Sequence, residues 1–127
     1  MTLHQALQSA PYLSFATFRK TGIPVATPVW AAPDGNAMYI FSAGNAGKIK
    51  RLRNSSKARL AECDIRGKLS GDWVDATAEI ISDAESIDTA LAALRKKYGW
   101  KMWLTDIGSK FTGKFNKRAY IRVQLIS

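Results

Sequence analysis

The chain has one cysteine, Cys63, and one histidine, His4, among its 127 residues. An intrachain disulfide needs two cysteines and a structural zinc site needs several Cys or His ligands, so the sequence predicts neither. A catalytic triad or dyad built on histidine would have to use His4, which lies on a predicted terminal helix. The composition therefore favours chemistry that is carried by a bound cofactor, and it identifies no catalytic side chain.

Long apolar runs are also missing from the sequence. No stretch approaches the ~20 residues that a membrane-spanning helix needs. The N-terminal segment MTLHQALQSAPY lacks the basic start and the apolar centre of a signal peptide. We therefore expect a cytoplasmic protein that has no membrane as a partner. The length fits a single domain, residues 1–127, with a hydrophobic core of its own.

Acidic residues are scarce in the C-terminal part of the chain. After residue 94 the sequence has nine lysines and arginines but one acid, Asp106, and the whole chain has a formal net charge of +9. A second basic group contains no acid, and its members are Lys48, Lys50, Arg51, Arg53, Lys57 and Arg59. This balance favours an anionic ligand, either a phosphorylated small molecule or a nucleic acid. For most of the C-terminal cations, a solvated surface is the simpler explanation.

Alternation of apolar and polar residues predicts a mainly β fold. Six strands are predicted, at 12–19, 24–31, 37–42, 57–63, 73–81 and 118–126. The first three are expected to form a meander of hairpins, with turns at 20–22 and 33–36. The sequence thus predicts a six-stranded antiparallel β-barrel with two or three short flanking helices.

Helix boundaries are indicated by capping residues. Thr2 with Gln5 and Ser82 with Glu85 have the spacing of capping boxes, so they predict two helix starts. Apolar residues at helical spacing follow the second box, and Gly99 is typical of a helix end.

The segment from Trp100 to Phe115 has an ambiguous pattern. Its apolar residues are compatible with a second short helix after Gly99. We interpret Trp100, Trp103 and Phe111 as core or dimer-interface residues, because buried aromatic residues are more common than ligand-binding ones.

A glycine-rich loop at 43–47 precedes a short basic helix at 48–54. The first amide N–H groups of a helix have no partner inside the helix and can bind an anion. Lys48 lies in the first turn, where its charge opposes the helix dipole, and a bound phosphate would remove that conflict. The pattern predicts that Lys48 binds a phosphate; the alternative is an exposed lysine beside other cations.

Three runs in this order and spacing resemble the pyridoxamine 5′-phosphate oxidase-like proteins; they are G-I-P-V-A-T-P-V-W, Y-I-F-S and G-K-I-K-R-L-R-N. Within this group the chain looks most similar to the short branch of deazaflavin (coenzyme F-420)-dependent enzymes. The resemblance extends from Leu13 to about Ile81, and the last strand is compatible with it. It implies a split β-barrel that forms a homodimer and binds a flavin-type cofactor, FMN or coenzyme F-420, at the subunit interface.

The resemblance also assigns candidate cofactor-binding positions. In the oxidase the second strand runs along the cofactor, and the matching residues here are Thr27, Pro28, Val29, Trp30 and Ala31. The end of the third strand matches Phe41 and Ser42, and the basic residue that holds the phosphate matches Lys48. The region of Trp73 reaches the cofactor of the partner subunit in the similar dimers; local packing of this tryptophan is the alternative.

The sequence departs from the oxidase at two arginine positions, which are Thr27 and Gly47 here. From charge alone, we predict that Arg51 or Arg53 compensates for these losses. No counterpart of the residues that bind the pyridoxal-phosphate substrate is found, so we expect no vitamin B6 activity.

Three functional hypotheses follow. The first is an oxidoreductase that transfers a hydride through bound FMN or deazaflavin to a small substrate, and the second is a carrier of such a cofactor without catalysis. The third is a basic nucleic-acid-binding barrel whose aromatic residues stack on bases. Those aromatic residues would be Tyr12, Phe15, Trp30, Tyr39 and Phe41. Their alternating positions suit a barrel core better than a binding surface, so we regard nucleic acid as the weaker hypothesis.

Overall fold

The computed structural model describes residues 3–111, 113 and 117–126. Its elements, in chain order, are α1 (Leu3–Ser9), β1 (Leu13–Phe18), β2 (Pro24–Val29), β3 (Ala31–Asp34), β4 (Ala37–Ala43), α2 (Gly47–Leu52), β5 (Lys57–Glu62), β6 (Val74–Ile81), α3 (Ala84–Tyr98), α4 (Trp100–Phe111) and β7 (Arg118–Leu125). The strands form one antiparallel sheet in the order β2-β1-β5-β6-β7-β4-β3. The predicted mainly β split barrel is confirmed, but the described part of the chain has seven strands and four helices.

The predicted second strand is in fact two strands that are separated by Trp30. Pro24–Val29 pairs with β1, whereas Ala31–Asp34 pairs with β4. These two strands lie at opposite ends of the sheet order. The chain therefore passes from one edge of the sheet to the other over a single residue, which curls the sheet on itself. Both predicted hairpins form, but the second strand of the predicted meander is broken between them. Alternation continues across this change of partner and does not reveal it.

The turn between β3 and β4 is shorter than predicted. Asp34 pairs with Ala37, which leaves Gly35 and Asn36 as a two-residue hairpin loop. Gly35 has a φ of 61°, which glycine adopts without strain and which a type II′ turn requires at its first central position. The residues at 33 and 34, which were expected in the turn, belong to β3.

Apolar residues form a separate core on each face of the sheet. The inner core is sealed by α1 and α2, which contribute Leu7, Ile49 and Leu52. Its other large members come from the strands and include Leu13, Phe15, Val29, Met38, Ile40, Leu60, Ile121 and Val123. The outer core lies between α3 and the strands β3, β4, β6 and β7, and it extends to Met102 of α4.

The helix α3 begins one residue later than predicted. The side chain of Asp83 is the N-cap, and it accepts a hydrogen bond of 2.9 Å from the backbone N–H of Ser86. The predicted capping box of Ser82 with Glu85 is therefore wrong by one position. Gly99 ends the helix with a φ of 55°, as predicted. The capping box at Thr2 lies outside the described residues.

The ambiguous segment after Gly99 forms the helix α4. Its residues Trp100 and Trp103 are 68% and 61% exposed. They are therefore not core residues, and the alternative, a dimer interface, stays a prediction. The side chain of Phe111 lies outside the described residues. In the part of the chain that the structure describes, no helix combines the length and the apolar character that crossing a membrane requires.

Candidate cofactor-binding site

Three cations, Arg19, Lys48 and Arg51, lie close together where β1 ends and α2 begins. We call them the cationic cluster. Burial and the charge of Arg51 lower the pKa of Lys48 below its usual 10.5. Burial and the charge of Arg19 lower the pKa of Arg51. None of these three cations takes part in the ion pairs found among the described residues. The cluster is therefore a region of uncompensated positive charge, where an anion would stabilise the charged forms.

Arg51 is held in place by β1 and by the absence of a side chain at Gly47. Its Nε donates a hydrogen bond of 2.6 Å to Oγ1 of Thr17, a fully buried residue. Its Nη1 lies 2.8 Å from the position that a Cβ at residue 47 would occupy. Any side chain at position 47 would displace the guanidinium. The glycine thus leaves space for the charge of Arg51 at the start of α2, next to Lys48.

Thr27 lies on the same face of the sheet as Thr17. It pairs with Phe15, while Thr17 pairs with Val25 two residues away on the same strand. The Oγ1 atom of Thr27 is buried and has no hydrogen-bond partner among the described residues. A buried unpaired polar group costs about 1–3 kcal/mol, and a ligand oxygen that accepted a hydrogen bond from this hydroxyl would remove that cost.

The other candidates on β2 are divided between the two faces of the strand. Val29 belongs to the inner core, whereas Pro28 is exposed on the outside. Proline lacks the N–H that a ladder needs, which suits an edge strand such as β2. The ring of Pro28 lies close to Gly67, in the loop that connects β5 to β6. Because β2 is an edge strand, the main-chain N–H and C=O groups on its unpaired side are the part of it that a ligand can approach.

Trp30 packs into the corner between β2 and β3. Its indole stacks on the ring of Tyr98, with centroids 4.6 Å apart and an interplanar angle of 9°. It also meets Phe41 edge-on at 6.2 Å. The hydroxyl of Tyr98 accepts a 2.9 Å hydrogen bond from the backbone N–H of Ala31 and donates to the carbonyl of Pro11. One face of the indole is therefore covered by Tyr98, and the stack stabilises the point where the chain passes from β2 to β3.

A cleft of about 600 Å³ opens beside the turn between β4 and α2. It is lined by Phe41, Ser42 and Asn45 and by Lys117 and Arg118. The guanidinium of Arg118 lies 4.7 Å from the centroid of the Phe41 ring. The cleft thus presents a half-buried aromatic ring and the exposed Lys117 next to the predicted strand end, whereas the guanidinium of Arg118 is paired with Asp106.

The floor of this cleft is fixed by a backbone contact. The N–H of Gly44 donates a 2.8 Å hydrogen bond to the carbonyl of Lys117. A Cβ at position 44 would lie 2.6 Å from that carbonyl oxygen. Only glycine allows the two backbones to approach so closely, which keeps the loop 43–46 and the start of β7 together.

Two predicted residues lie apart from the cationic cluster. Arg53 is exposed at the C-terminal end of α2, so it is placed less well than Arg51 to replace a lost arginine. Trp73 precedes β6 and is 38% exposed. It follows the loop 64–71, which exposes two other large apolar side chains, Ile65 and Leu69.

The family model for pyridoxamine 5′-phosphate oxidase matches residues 2–124. The chain belongs to the pyridoxamine 5′-phosphate oxidase family. The resemblance inferred from the three sequence runs is thereby confirmed. A comparison with curated proteins found no match.

Solved structures of similar fold include proteins with different ligands. The heme storage protein HutZ from Vibrio cholerae aligns with a TM-score of 0.71 at 15% identity, over 100% of this chain and 92% of that one. A conserved hypothetical protein from Mycobacterium tuberculosis aligns with a TM-score of 0.72 at 18% identity, over 100% and 82%. An FAD-binding protein from Mesorhizobium loti aligns with a TM-score of 0.62 at 18% identity, over 97% and 84%. At these identities the likeness shows a shared fold.

Sequence reasoning missed three features of this family member's cationic cluster. It did not include Arg19 or Thr17, although both fall on the same side of the first strand by simple alternation. It also treated Gly47 as the loss of an arginine. The spacing of Gly47 and Arg51 places them one helical turn apart, which was the available signal for their contact. Among the described residues, no group of three or more His, Cys, Asp or Glu side chains is arranged to hold a metal ion.

Proposed function

We propose that this protein binds a phosphorylated flavin-type cofactor, FMN or the deazaflavin coenzyme F-420, and acts as an oxidoreductase that transfers a hydride to a small substrate. The observation that supports this most directly is the cluster of Arg19, Lys48 and Arg51, which has no acidic partner among the described ion pairs. Membership of the pyridoxamine 5′-phosphate oxidase family supports the type of cofactor.

The residues of the cluster fit a phosphate group. Lys48 and Arg51 would pair with its negative charge through charge-assisted hydrogen bonds, which are the strong ones. The hydroxyl of Thr27, which has no partner among the described residues, would donate a hydrogen bond to a ligand oxygen. The oxidase has an arginine at the position of Gly47. In this proposal, the guanidinium of Arg51 provides that positive charge here, in the space that the missing side chain of Gly47 leaves open.

The cleft beside Phe41 and Ser42 would receive the remainder of the cofactor. When bound, the tricyclic ring supplies the hydride chemistry, and the protein supplies binding and orientation. The main-chain groups of β2 and the side chain of Phe41 would contact the ring. Trp30, which is stacked on Tyr98, would support this part of the site from behind.

We further propose that the functional unit is a homodimer. Pro28 and the exposed side chains Ile65, Leu69 and Trp73 lie on or next to the edge formed by β2 and the loop 64–71. An apolar surface of this kind beside a ligand groove suits a twofold interface, the commonest closed assembly. In that arrangement Trp73 would approach the cofactor of the partner subunit.

The test is a fluorescence titration of the apo protein with FMN, riboflavin and coenzyme F-420, combined with light scattering. We expect saturable quenching of at least one phosphorylated cofactor and a molar mass near twice that of the chain. Tight binding of short DNA with no response to either cofactor would contradict the proposal. The structure already counts against DNA, because Phe15 and Tyr39 are 0% and 5% exposed and cannot stack on bases.

A cofactor carrier is the second candidate function. It is favoured by the absence of an acid or histidine from the residues that form the cluster and the cleft in the described structure. The two functions are distinguished by single-turnover assays with reduced cofactor. A carrier would protect the reduced cofactor from added hydride acceptors, whereas an oxidoreductase would speed its oxidation by at least one of them.

A further inference from the structure

The helix α4 presents an apolar face to solvent. This α4 face consists of Trp100, Trp103, Leu104 and Ile107, which are 68%, 61%, 50% and 45% exposed. Their spacing places all four side chains on one side of the helix. Scattered apolar residues on a surface need no explanation, but four large ones on a single helix face indicate an interaction surface.

The opposite side of α4 is anchored, so the exposed face cannot turn inward. Met102 is fully buried in the outer core and Asp106 is 6% exposed. The carboxylate of Asp106 accepts hydrogen bonds of 2.9 Å from Arg95 Nε and 2.7 Å from Arg118 Nη1. These contacts hold α4 against α3 and β7 with its apolar face outward.

The surroundings of the α4 face are strongly basic. Lys101 and Lys110 are exposed on α4 itself, and Arg95 and Lys96 are exposed near the end of α3. The single acid after residue 94, Asp106, is buried between two arginines. A second copy of this chain seated on the same face would bring these cations together. The charge therefore favours an anionic occupant.

We propose that the α4 face docks on the surface of a bilayer that contains anionic lipids. Tryptophan prefers the boundary between headgroups and acyl chains, where Leu and Ile side chains also enter the apolar layer. Lysines beside them would attract anionic headgroups. With 12 residues, the helix is about 18 Å long and would lie flat on the surface.

This docking is separate from the proposed cofactor site and does not depend on it. From the sequence we expected no membrane partner, because no run was long enough to span a bilayer. A peripheral contact needs no such run, and the exposure of Trp100 and Trp103 became evident only in the folded chain.

The test is co-sedimentation of the full chain with vesicles. One set contains phosphatidylcholine alone, and the other contains equal parts of phosphatidylcholine and phosphatidylglycerol. We expect binding to the second set, with a bound fraction that falls as salt concentration rises, because salt screens the attraction of the lysines. No binding to the anionic vesicles, or equal binding to both sets, would overturn the proposal.

The double variant Trp103→Gln, Leu104→Gln removes two side chains of the α4 face and leaves the charge unchanged. We expect its partition onto anionic vesicles to be at least about tenfold weaker. The matched control is Ile23→Gln, an exposed apolar residue in the turn between β1 and β2, which should bind like the wild type. Retained binding in the double variant would show that diffuse charge alone is at work and would overturn the proposal. A smaller assembly for the double variant in light scattering, without vesicle binding by the wild type, would assign the face to contacts between copies and also overturn it.

Discussion

The guanidinium of Arg51 occupies the space that a side chain at Gly47 would need, with Nη1 2.8 Å from the position of the missing Cβ. The two residues are one helical turn apart, so the contact depends on the register of α2. The hydrogen bond from Nε to Thr17 fixes the other side of the same group. The positive charge of Arg51 therefore lies at the start of α2, although the Cα of Arg51 lies near the end of that helix.

Gly47→Ala tests this relationship without changing any charge. We expect it to displace Arg51 and to weaken FMN binding in the same direction as Arg51→Ala, which should lose about ten- to hundredfold in affinity. Alanine is a better helix former than glycine, so the folded state should not be lost. Fluorescence titration with FMN measures the effect. Arg53→Ala is the control on the same helix, and an equal loss from it would show that position does not matter.

Lys48→Ala should remove a charge-assisted hydrogen bond worth about 1.5–3 kcal/mol to the cofactor phosphate. The loss should be much smaller for riboflavin, which has the ring but no phosphate, and for the neighbouring variant Lys50→Ala. Because burial and Arg51 lower the pKa of Lys48, the FMN affinity of the wild type should fall with rising pH before the usual lysine value of 10.5 is reached. Equal, small losses from both variants would place the phosphate elsewhere.

Thr27→Val should have opposite effects on stability and on binding. In the apo protein it removes a buried hydroxyl that has no partner among the described residues, so the free energy of unfolding should rise by about 1 kcal/mol. The affinity for FMN should fall, because the phosphate loses a donor. Urea unfolding and fluorescence titration measure the two effects. A stability that falls while binding is unchanged would show that the hydroxyl has only a structural role.

Asp106→Asn should be strongly destabilising. It removes the carboxylate between Arg95 and Arg118, and the side chain of Arg118 is only 5% exposed. Breaking a buried ion pair from one side costs about 3–5 kcal/mol. Asp75→Asn is the matched control, because its bridge to Arg59 is exposed and should contribute less than about 1 kcal/mol. Urea unfolding of the two variants should therefore give clearly different midpoints, and similar ones would show that the Asp106 network is weak.

Lys97 should make stability depend on pH in the alkaline range. Its Nζ donates to the carbonyls of Ala10 and Ala31 at 2.7 and 2.6 Å, while burial lowers its pKa from 10.5 to about 8. Between these two values the unfolded chain binds more protons than the folded one, so the free energy of unfolding should rise with pH. Lys97→Met should make this rise smaller, leaving the part that comes from Lys48, whose pKa is also lowered by burial. Thermal unfolding of both proteins from pH 7 to pH 10.5 provides the measurement, and an unchanged slope in the variant would contradict the assignment.

The strands were predictable from the sequence because most of them bury one face, which gives an alternation of apolar and polar residues along the chain. The break at Trp30 was not predictable, since the residues on both sides continue the same alternation while their partners change. The start of α3 was placed one residue early because Ser82 and Asp83 are both good caps, and only the bond to Ser86 distinguishes them.

The candidate site was predictable where charge is local in sequence and not where it depends on distant contacts. Lys48 and Arg51 were visible as part of a basic run. The bond between Arg51 and Thr17 joins residues 34 positions apart, so no local pattern shows it. The exposure of the α4 face is not predictable for a related reason: the helical spacing of its apolar residues is the same whether the face meets a core, a partner or solvent.

The single residue between β2 and β3 lowers the entropic cost of bringing the two edges of the sheet together. Joining two ends of a chain costs more conformational entropy as the connecting loop lengthens, and here the two edges of the sheet are joined by Trp30 alone. Closure is therefore local in sequence even though the strands it unites are the first and last of the sheet. An insertion or deletion of one residue at this point would reverse which side chains of β2 or β3 face inward. The length of this connection, more than the identity of Trp30, therefore determines which side chains of β2 face the proposed cofactor when those of β3 face the core.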